Sequence, residues 1–295
     1  MNVQDVPNQD ARPTSTPVVI SPATAVLQAE APTYPIGQTI AAEVIAGFRE
    51  WRVWAILGWD DIRQRYRRSV LGPFWITLST GMFILLLGVI YSRLFHTDIA
   101  IYIPYLSAGL PLWGFISASI NESCLAFQEG SRIMKQIKLP YSVYVLRVVW
   151  RNFIVFVHTV VIFIPVAIIF KTTPTWATLL VLPGLFIVCV NVAWLATVLA
   201  IISTRYRDIL PIVGTCIQIA MFATPIMWPV TALGEDTYIA AINPLYHLIE
   251  IVRAPMLGTA PQLLSWLVDG GLAIVGSAFA ITLLVSKSRR IVFWV

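Results

Sequence analysis

Five stretches of this chain run without a single Asp, Glu, Lys or Arg: Gly72 to Ser92, Ile99 to Asn121, Asn152 to Phe170, Thr172 to Thr204 and Ile209 to Gly234. A sixth, Leu263 to Val285, holds only Asp269, near one end. A bilayer core needs about 20 apolar helical residues to be crossed, so each stretch is long enough. With 58% hydrophobic residues and only 12% charged, against roughly a quarter charged in a soluble domain, the composition agrees. The expected fold is an all-α integral membrane protein with six transmembrane helices.

An even number of crossings puts both termini on one side, and the side follows from the loop cations. Seventeen of the 20 Lys and Arg fall on the side of the termini, leaving Arg93, Lys171 and Arg253 for the other. Both ends, and the loops at 122–151 and 205–208, are therefore expected in the cytoplasm. Topology then accounts for the net charge of +5, and nucleic acid is not expected as a partner, because the cations are spread over every inner loop.

Residues 1–42 carry six prolines among Ala, Thr, Gln and Ser and read as a disordered tail. Asp5 and Asp10 stand where a secretory signal has a basic start, so cleavage is not expected. Residues 43–71 follow with Phe48, Trp51, Ala55, Trp59, Ile62 and Tyr66 at helical spacing among six arginines. They form either a helix in the membrane interface or an amphipathic helix packed on its own protein. The transmembrane domain is expected over 72–285 and a cytoplasmic C-terminus over 286–295.

Two connections exceed simple links. Ser131 to Pro140 is a short helix-like run with Ile133 and Ile137 four apart, cations Arg132, Lys135 and Lys138 around them, and Pro140 as its stop. It fits a ridge docking into a partner's groove, or an interfacial loop with ordinary inner-face lysines. The second lies in an external insertion, 232–262. There Asn243 and Pro244 start a helix as cap and first turn, with His247, Glu250 and Arg253 spaced by three. A re-entrant or surface helix at the outer face is expected, its charges needing partners or water.

Several chemistries find no support. Cys124, Cys189 and Cys216 stand far apart, and none of His96, His158 and His247 belongs to a two-histidine motif, so no metal site is expected. No lysine follows a glycine, so a phosphate-cradling loop is missing and any ATP must be bound by a separate subunit. The one adjacent acidic pair, Asp60-Asp61, sits among arginines, where charge pairing is its expected task. Five of the six stretches bury no carboxylate, against an ion-coupled carrier.

The run from Trp59 to Trp75 (WDDIRQRYRRSVLGPFW) resembles the approach to the first span in ABC-2 type permeases that export polysaccharides and polyol phosphates. Tyr105 to Gly114 (YLSAGLPLWG), Lys135 to Pro140 and the helix from Asn243 to Arg253 resemble the same family, from about Val44 to the C-terminus. The resemblance implies a homodimer joined to two copies of an ABC nucleotide-binding subunit, with ATP and Mg held there and no cofactor or catalysis in this chain.

The cargo implied is a lipid-linked glycan, with O antigen on a polyprenyl pyrophosphate in a Gram-negative inner membrane preferred. Capsule polysaccharide, teichoic acid, a drug or small lipid, and a non-ABC protein of envelope-glycan synthesis stay open. By the same resemblance, Glu129, Arg132, Ile133, Lys135, Ile137 and Lys138 form a coupling helix, and Asn243, Pro244, His247, Glu250 and Arg253 belong to re-entrant external gate helices. Trp75, Phe83, Tyr91, Trp113, Phe115, Trp194 and Phe222 are candidates for the wall of a glycan channel. Arg63, Arg65, Arg67 and Arg68 either hold a lipid phosphate at the inner entrance, as bidentate donors suit phosphate, or anchor the chain by the positive-inside effect.

Overall fold

The computed structural model of the chain describes residues 40–67, 72 and 74–295; the expected tail lies outside them except for its last three positions. Among the described residues the regular structure is entirely helical. Helix α1 (Ile40–Arg49) begins three residues before the expected boundary, and α2 (Trp51–Tyr66) follows after a break at Glu50. One side of α2 buries Leu57, Gly58 and Ile62, while Trp51 and Trp59 stay about half exposed. The expected packing on the chain's own protein is thus present on one face of α2, and an uncovered aromatic stripe lies on the other. Gly58 permits the close approach, since a Cβ there would come within 3.0 Å of Trp150 and 3.1 Å of the Arg147 carbonyl.

Five helical segments among the described residues are long and apolar enough to cross a membrane, which makes this a multi-pass membrane protein. They are α3 (Phe74–Leu94), α4 (Ile99–Ser123), the pair α7 (Tyr141–Val160) and α8 (Phe163–Ile169), a 3-10 turn (Trp176–Leu180) running into α9 (Val181–Arg205), and the last helix from Leu263. Helix α4 is the centre of the bundle: 72% of its apolar window is buried, against 22% for α3. Its start is capped by the Asp98 carboxylate, which accepts from the Ala100 amide at 2.9 Å.

The stretch Ile209–Gly234 does not form one helix of spanning length. Helix α10 covers Ile209–Ala223, 15 residues, or about 22 Å at the usual rise, short of the roughly 30 Å of hydrocarbon. Pro225 and Pro229 supply the reason, since the residue before a proline avoids helical geometry and proline has no amide to continue the ladder. None of the α10 residues is buried within this chain.

Between α4 and α7 lie two short helices, α5 (Ala126–Glu129) and α6 (Ser131–Gln136). The expected run to Pro140 is helical only to Gln136; Ile137 is already extended. After α10 come a 3-10 turn (Val230–Leu233), α11 (Tyr238–Ile242) and α12 (Pro244–Met256). Helix α12 starts as expected, the Asn243 side chain accepting from the Leu245 amide at 3.0 Å with Pro244 in the first turn. Helix α13 (Leu263–Trp294) has 32 residues.

Candidate functional site

Helix α4 carries a polar cluster at each end, and the two together form the candidate site. Glu122 and Tyr105 are 17 residues apart on one helix, which sets them about 25 Å apart along its axis.

At the Glu122 end the centre is Arg151 of α7, whose side chain is 6% exposed. Its guanidinium reaches Asp61 of α2 at 3.0 Å, Glu122 of α4 at 2.8 Å and Glu129 of α5 at 3.6 Å. Arg147 Nε donates to Asp61 Oδ2 at 2.7 Å and its Nη2 pairs with Oδ1. Glu122 accepts further from Asn152 Nδ2 at 2.7 Å and from Arg65 at 3.0 Å. A guanidinium this buried is costly unless its charge finds partners, and three other helices supply them. The Asp60-Asp61 pair thus does charge pairing, through Asp61. Nearby, Glu43 of α1 accepts from the Tyr141 amide at 2.6 Å, and burial raises its pKa above the usual carboxylate value while that bond pulls it partly back.

The residues expected to form a coupling surface sit beside this cluster. Arg132, Lys135 and Lys138 are exposed, whereas Ile133 and Ile137 are partly buried against the chain's own core, and Glu129 is tied to Arg151. Arg63 and Arg67 are exposed, Arg65 is engaged by Glu122, and Arg68 lies outside the described residues.

At the Tyr105 end the centre is Arg253 of α12, 1% exposed. It pairs with Glu250 at 2.6 Å, donates to the Pro225 carbonyl at 2.7 Å and lies over the Tyr105 ring, 4.1 Å from its centroid. The Tyr105 hydroxyl sits 2.8 Å from the Pro225 carbonyl and 3.0 Å from that of Trp228, so its one proton serves one of them at a time. Tyr102 donates to the Met227 carbonyl, and Asn243 Nδ2 to the Thr224 hydroxyl at 2.9 Å. The proline-broken segment 224–228 is therefore satisfied by side chains from α4, α12 and the α12 cap.

Helix α12 is embedded, not a surface helix. His247 is 1% exposed, its Nε2 2.8 Å from the Ala241 carbonyl and its Nδ1 2.9 Å from Ser265 Oγ. The carbonyl requires the Nε2 proton, and the Nδ1 contact with the Ser265 hydroxyl completes the ring's hydrogen bonding. One turn along α13 from Ser265, Asp269 is fully buried with neither carboxylate oxygen bonded among the described residues, while its carbonyl accepts from Asn191 at 3.0 Å.

The seven aromatics singled out as channel candidates do not share one surface of the chain. Trp75, Phe83 and Phe222 are exposed. Trp113 and Phe115 are buried in the core, Tyr91 packs edge-on against Phe95 at 5.7 Å, and Trp194 lies against α13 where a Cβ at Gly276 would collide with its ring. Sequence reasoning overlooked Asp61, Glu122, Arg147, Arg151 and Asn152 as one unit, and Tyr102 and Tyr105 as partners of the break. The available signal was slight: buried-span polar residues, Asn152 and Glu122, next to a basic loop.

The family profile of ABC-2 type transporters matches residues 52–257. Among curated proteins the chain is similar to the O-antigen export system permease protein RfbA of Myxococcus xanthus, 23% identical over 197 residues, which cover 66% of this chain and 76% of that protein. It is also similar to an O-antigen export system permease protein RfbA of Klebsiella pneumoniae, 25% identical over 194 residues, 64% of this chain and 74% of that one.

Proposed function

The chain belongs to the ABC-2 type transporter family, and on that premise we propose that it is the membrane subunit of an ATP-driven exporter of lipid-linked polysaccharide, O antigen being the favoured cargo. Permeases of this family are transporter subunits that work with separate ABC nucleotide-binding subunits and are not themselves catalysts. In this reading the working unit is a homodimer with two such subunits in the inner membrane, both termini cytoplasmic. The short α10 and the segment behind it complete a sixth crossing, and α11 and α12 act as external gate helices.

The observation that carries the reading is the sharing of Arg151 among Asp61, Glu122 and Glu129. A subunit pressing on Glu129 to Leu139 would push, through that guanidinium, on α2, α4 and α7 together. Helix α4 leads from there to Tyr105 and the break it helps to hold. Alternate opening then follows from ATP closure in the partner, with the lipid phosphate crossing between two permeases while its chains stay in lipid.

Exposed Trp75, Phe83 and Phe222 are the channel aromatics this reading retains, since a lumen between two copies must be lined by surfaces free on each. Sugar CH faces slide on such rings without a fixed hydrogen-bond register. Arg63, Arg65, Arg67 and Arg68 remain the proposed inner-entrance phosphate ligands, with Arg65 already shared with Glu122.

The test is purification from native membranes. A P-loop subunit is expected to accompany the chain and to hydrolyse ATP faster when it does. Charge reversal at Arg132, Lys135 and Lys138 together should release that subunit while the permease stays folded in the membrane. Translocation of glycan by the purified polypeptide alone, or an undiminished complex after reversal, would end the proposal.

A further inference from the structure

Helices α9 and α13 end together and leave between them a cleft of about 340 Å3. Ser203 Oγ donates to the Cys124 carbonyl at 2.6 Å, which fixes the cleft at the Glu122 end of the bundle. Its α13 wall is Leu283, Lys287, Arg290 and Trp294, spaced by four, three and four so that all four fall on one helical stripe. The α9 wall is Ile201, Ile202 and Arg205, closed by Tyr206. The Arg205 guanidinium lies near both rings, 5.9 Å from the Tyr206 centroid and 5.6 Å from that of Trp294.

Among the described residues no acidic side chain lines this cleft, and Arg205, Lys287 and Arg290 form no hydrogen bond or ion pair. Elsewhere at this end the chain neutralises Arg65, Arg147 and Arg151 with its own carboxylates. Three cations gathered without a counter-charge repel one another and call for an anion. The charge-poor run of α13 stops at Val285, two residues before Lys287, so the cations lie where head groups begin, while Ile201, Ile202 and Leu283 face the apolar side. Aromatic and basic residues at that depth, in a pocket between helices, are the chemistry that takes phosphate-bearing lipids.

We propose that this cleft is a binding site for a lipid phosphate head group, with a hydrocarbon chain laid against Ile201, Ile202 and Leu283. It is distinct from the Arg63 to Arg68 cluster and independent of which cargo the exporter carries. The phosphate comes either from an anionic phospholipid of the bilayer or from the carrier lipid of the cargo.

The test is native mass spectrometry of the full chain released from nanodiscs of phosphatidylcholine with or without phosphatidylglycerol. The chain should retain phosphatidylglycerol in preference to phosphatidylcholine. Arg205→Gln, Lys287→Gln and Arg290→Gln together should lower retention by roughly fivefold per charge, hence on the order of a hundredfold. Removing the same charge from exposed positions outside the cleft, by Arg49→Gln, Arg52→Gln and Arg207→Gln, should leave retention unchanged. Trp294→Leu, which keeps all three charges, should weaken it in part and serves if the triple variant does not fold.

Added polyprenyl pyrophosphate that displaces phosphatidylglycerol assigns the cleft to the cargo's carrier; phosphatidylglycerol that resists it assigns the cleft to the bilayer. Equal loss in the control triple, equal retention in the cleft triple, or no preference over phosphatidylcholine overturns the proposal.

Discussion

The Arg253 guanidinium stacks on the Tyr105 ring at 4.1 Å while both residues reach for the same backbone oxygen, that of Pro225. Two helices distant in sequence thus converge on one carbonyl left free by a proline break. Such a contact is strong because the cation is desolvated, and vulnerable because each partner depends on the other two.

Arg253→Met is expected to lower stability by about 3 kcal/mol, because it strands Glu250 without its cation inside the protein. Arg253→Lys keeps the charge but not the planar fork and should fall between. Thermal unfolding in detergent reads both; a loss in Arg253→Met below about 1 kcal/mol would mean that the cluster is incidental.

Asp61→Asn and Arg151→Met should be non-additive. Residues that share a network couple by about 0.5–3 kcal/mol in a double-mutant cycle, and Arg147 competes for the same carboxylate. Simple additivity, in stability and in stimulation of ATP hydrolysis, would disconnect α2 from the segment after α4.

Gly276→Ala should cost about 1–3 kcal/mol, the usual penalty for forcing atoms into a filled space, because the new methyl meets the Trp194 ring. Trp194→Leu in the same chain should restore most of it. A harmless Gly276→Ala would free Trp194 from α13 and return it to the channel candidates.

Glu43 gives a pH dependence of definite sign. Burial raises its pKa in the folded chain, so its stabilising contribution is complete below the unfolded value of about 4.3 and is lost as pH rises through the raised one. Protection of the Ile40–Arg49 amides, taken as the exchange rate relative to that of an unstructured peptide at the same pH, should therefore fall as pH rises above the unfolded value of about 4.3. In Glu43→Gln the protection should be flat with pH, and wild-type protection that grows with pH would reverse the assignment.

Five of the six expected spans were legible because bilayer thickness and charge exclusion act locally: a run such as Thr172 to Thr204 announces itself without reference to any neighbour, whereas the run from Ile209 hid its break in two prolines. The Asn243-Pro244 helix start is equally local; the Asp60-Asp61 doublet announced charge pairing but not its partners, which for Asp61 lie on α7. What was not legible is long-range. Nothing in the order of residues says that Asp61, Glu122 and Glu129 meet at Arg151, or that Arg253 leaves the surface to sit on Tyr105. Periodicity assigns Trp113 and Trp194 to apolar faces without saying which neighbour each face meets. Arg205, Lys287 and Arg290 were absorbed into a topological count in which every inner cation is alike; only the pairing of α9 with α13 gathers them.

The segment 224–228 holds its place by hydroxyl, amide and guanidinium groups borrowed from elsewhere, where a continuous helix would be tied to itself. A self-bonded rod yields all at once. This one is laced from outside at separate points: the Tyr102 hydroxyl on Met227 and the Asn243 amide on Thr224 can let go without the Arg253, Tyr105 and Pro225 contact, which stands or falls as one. An opening made there would widen in increments, where a continuous helix would move as a single piece.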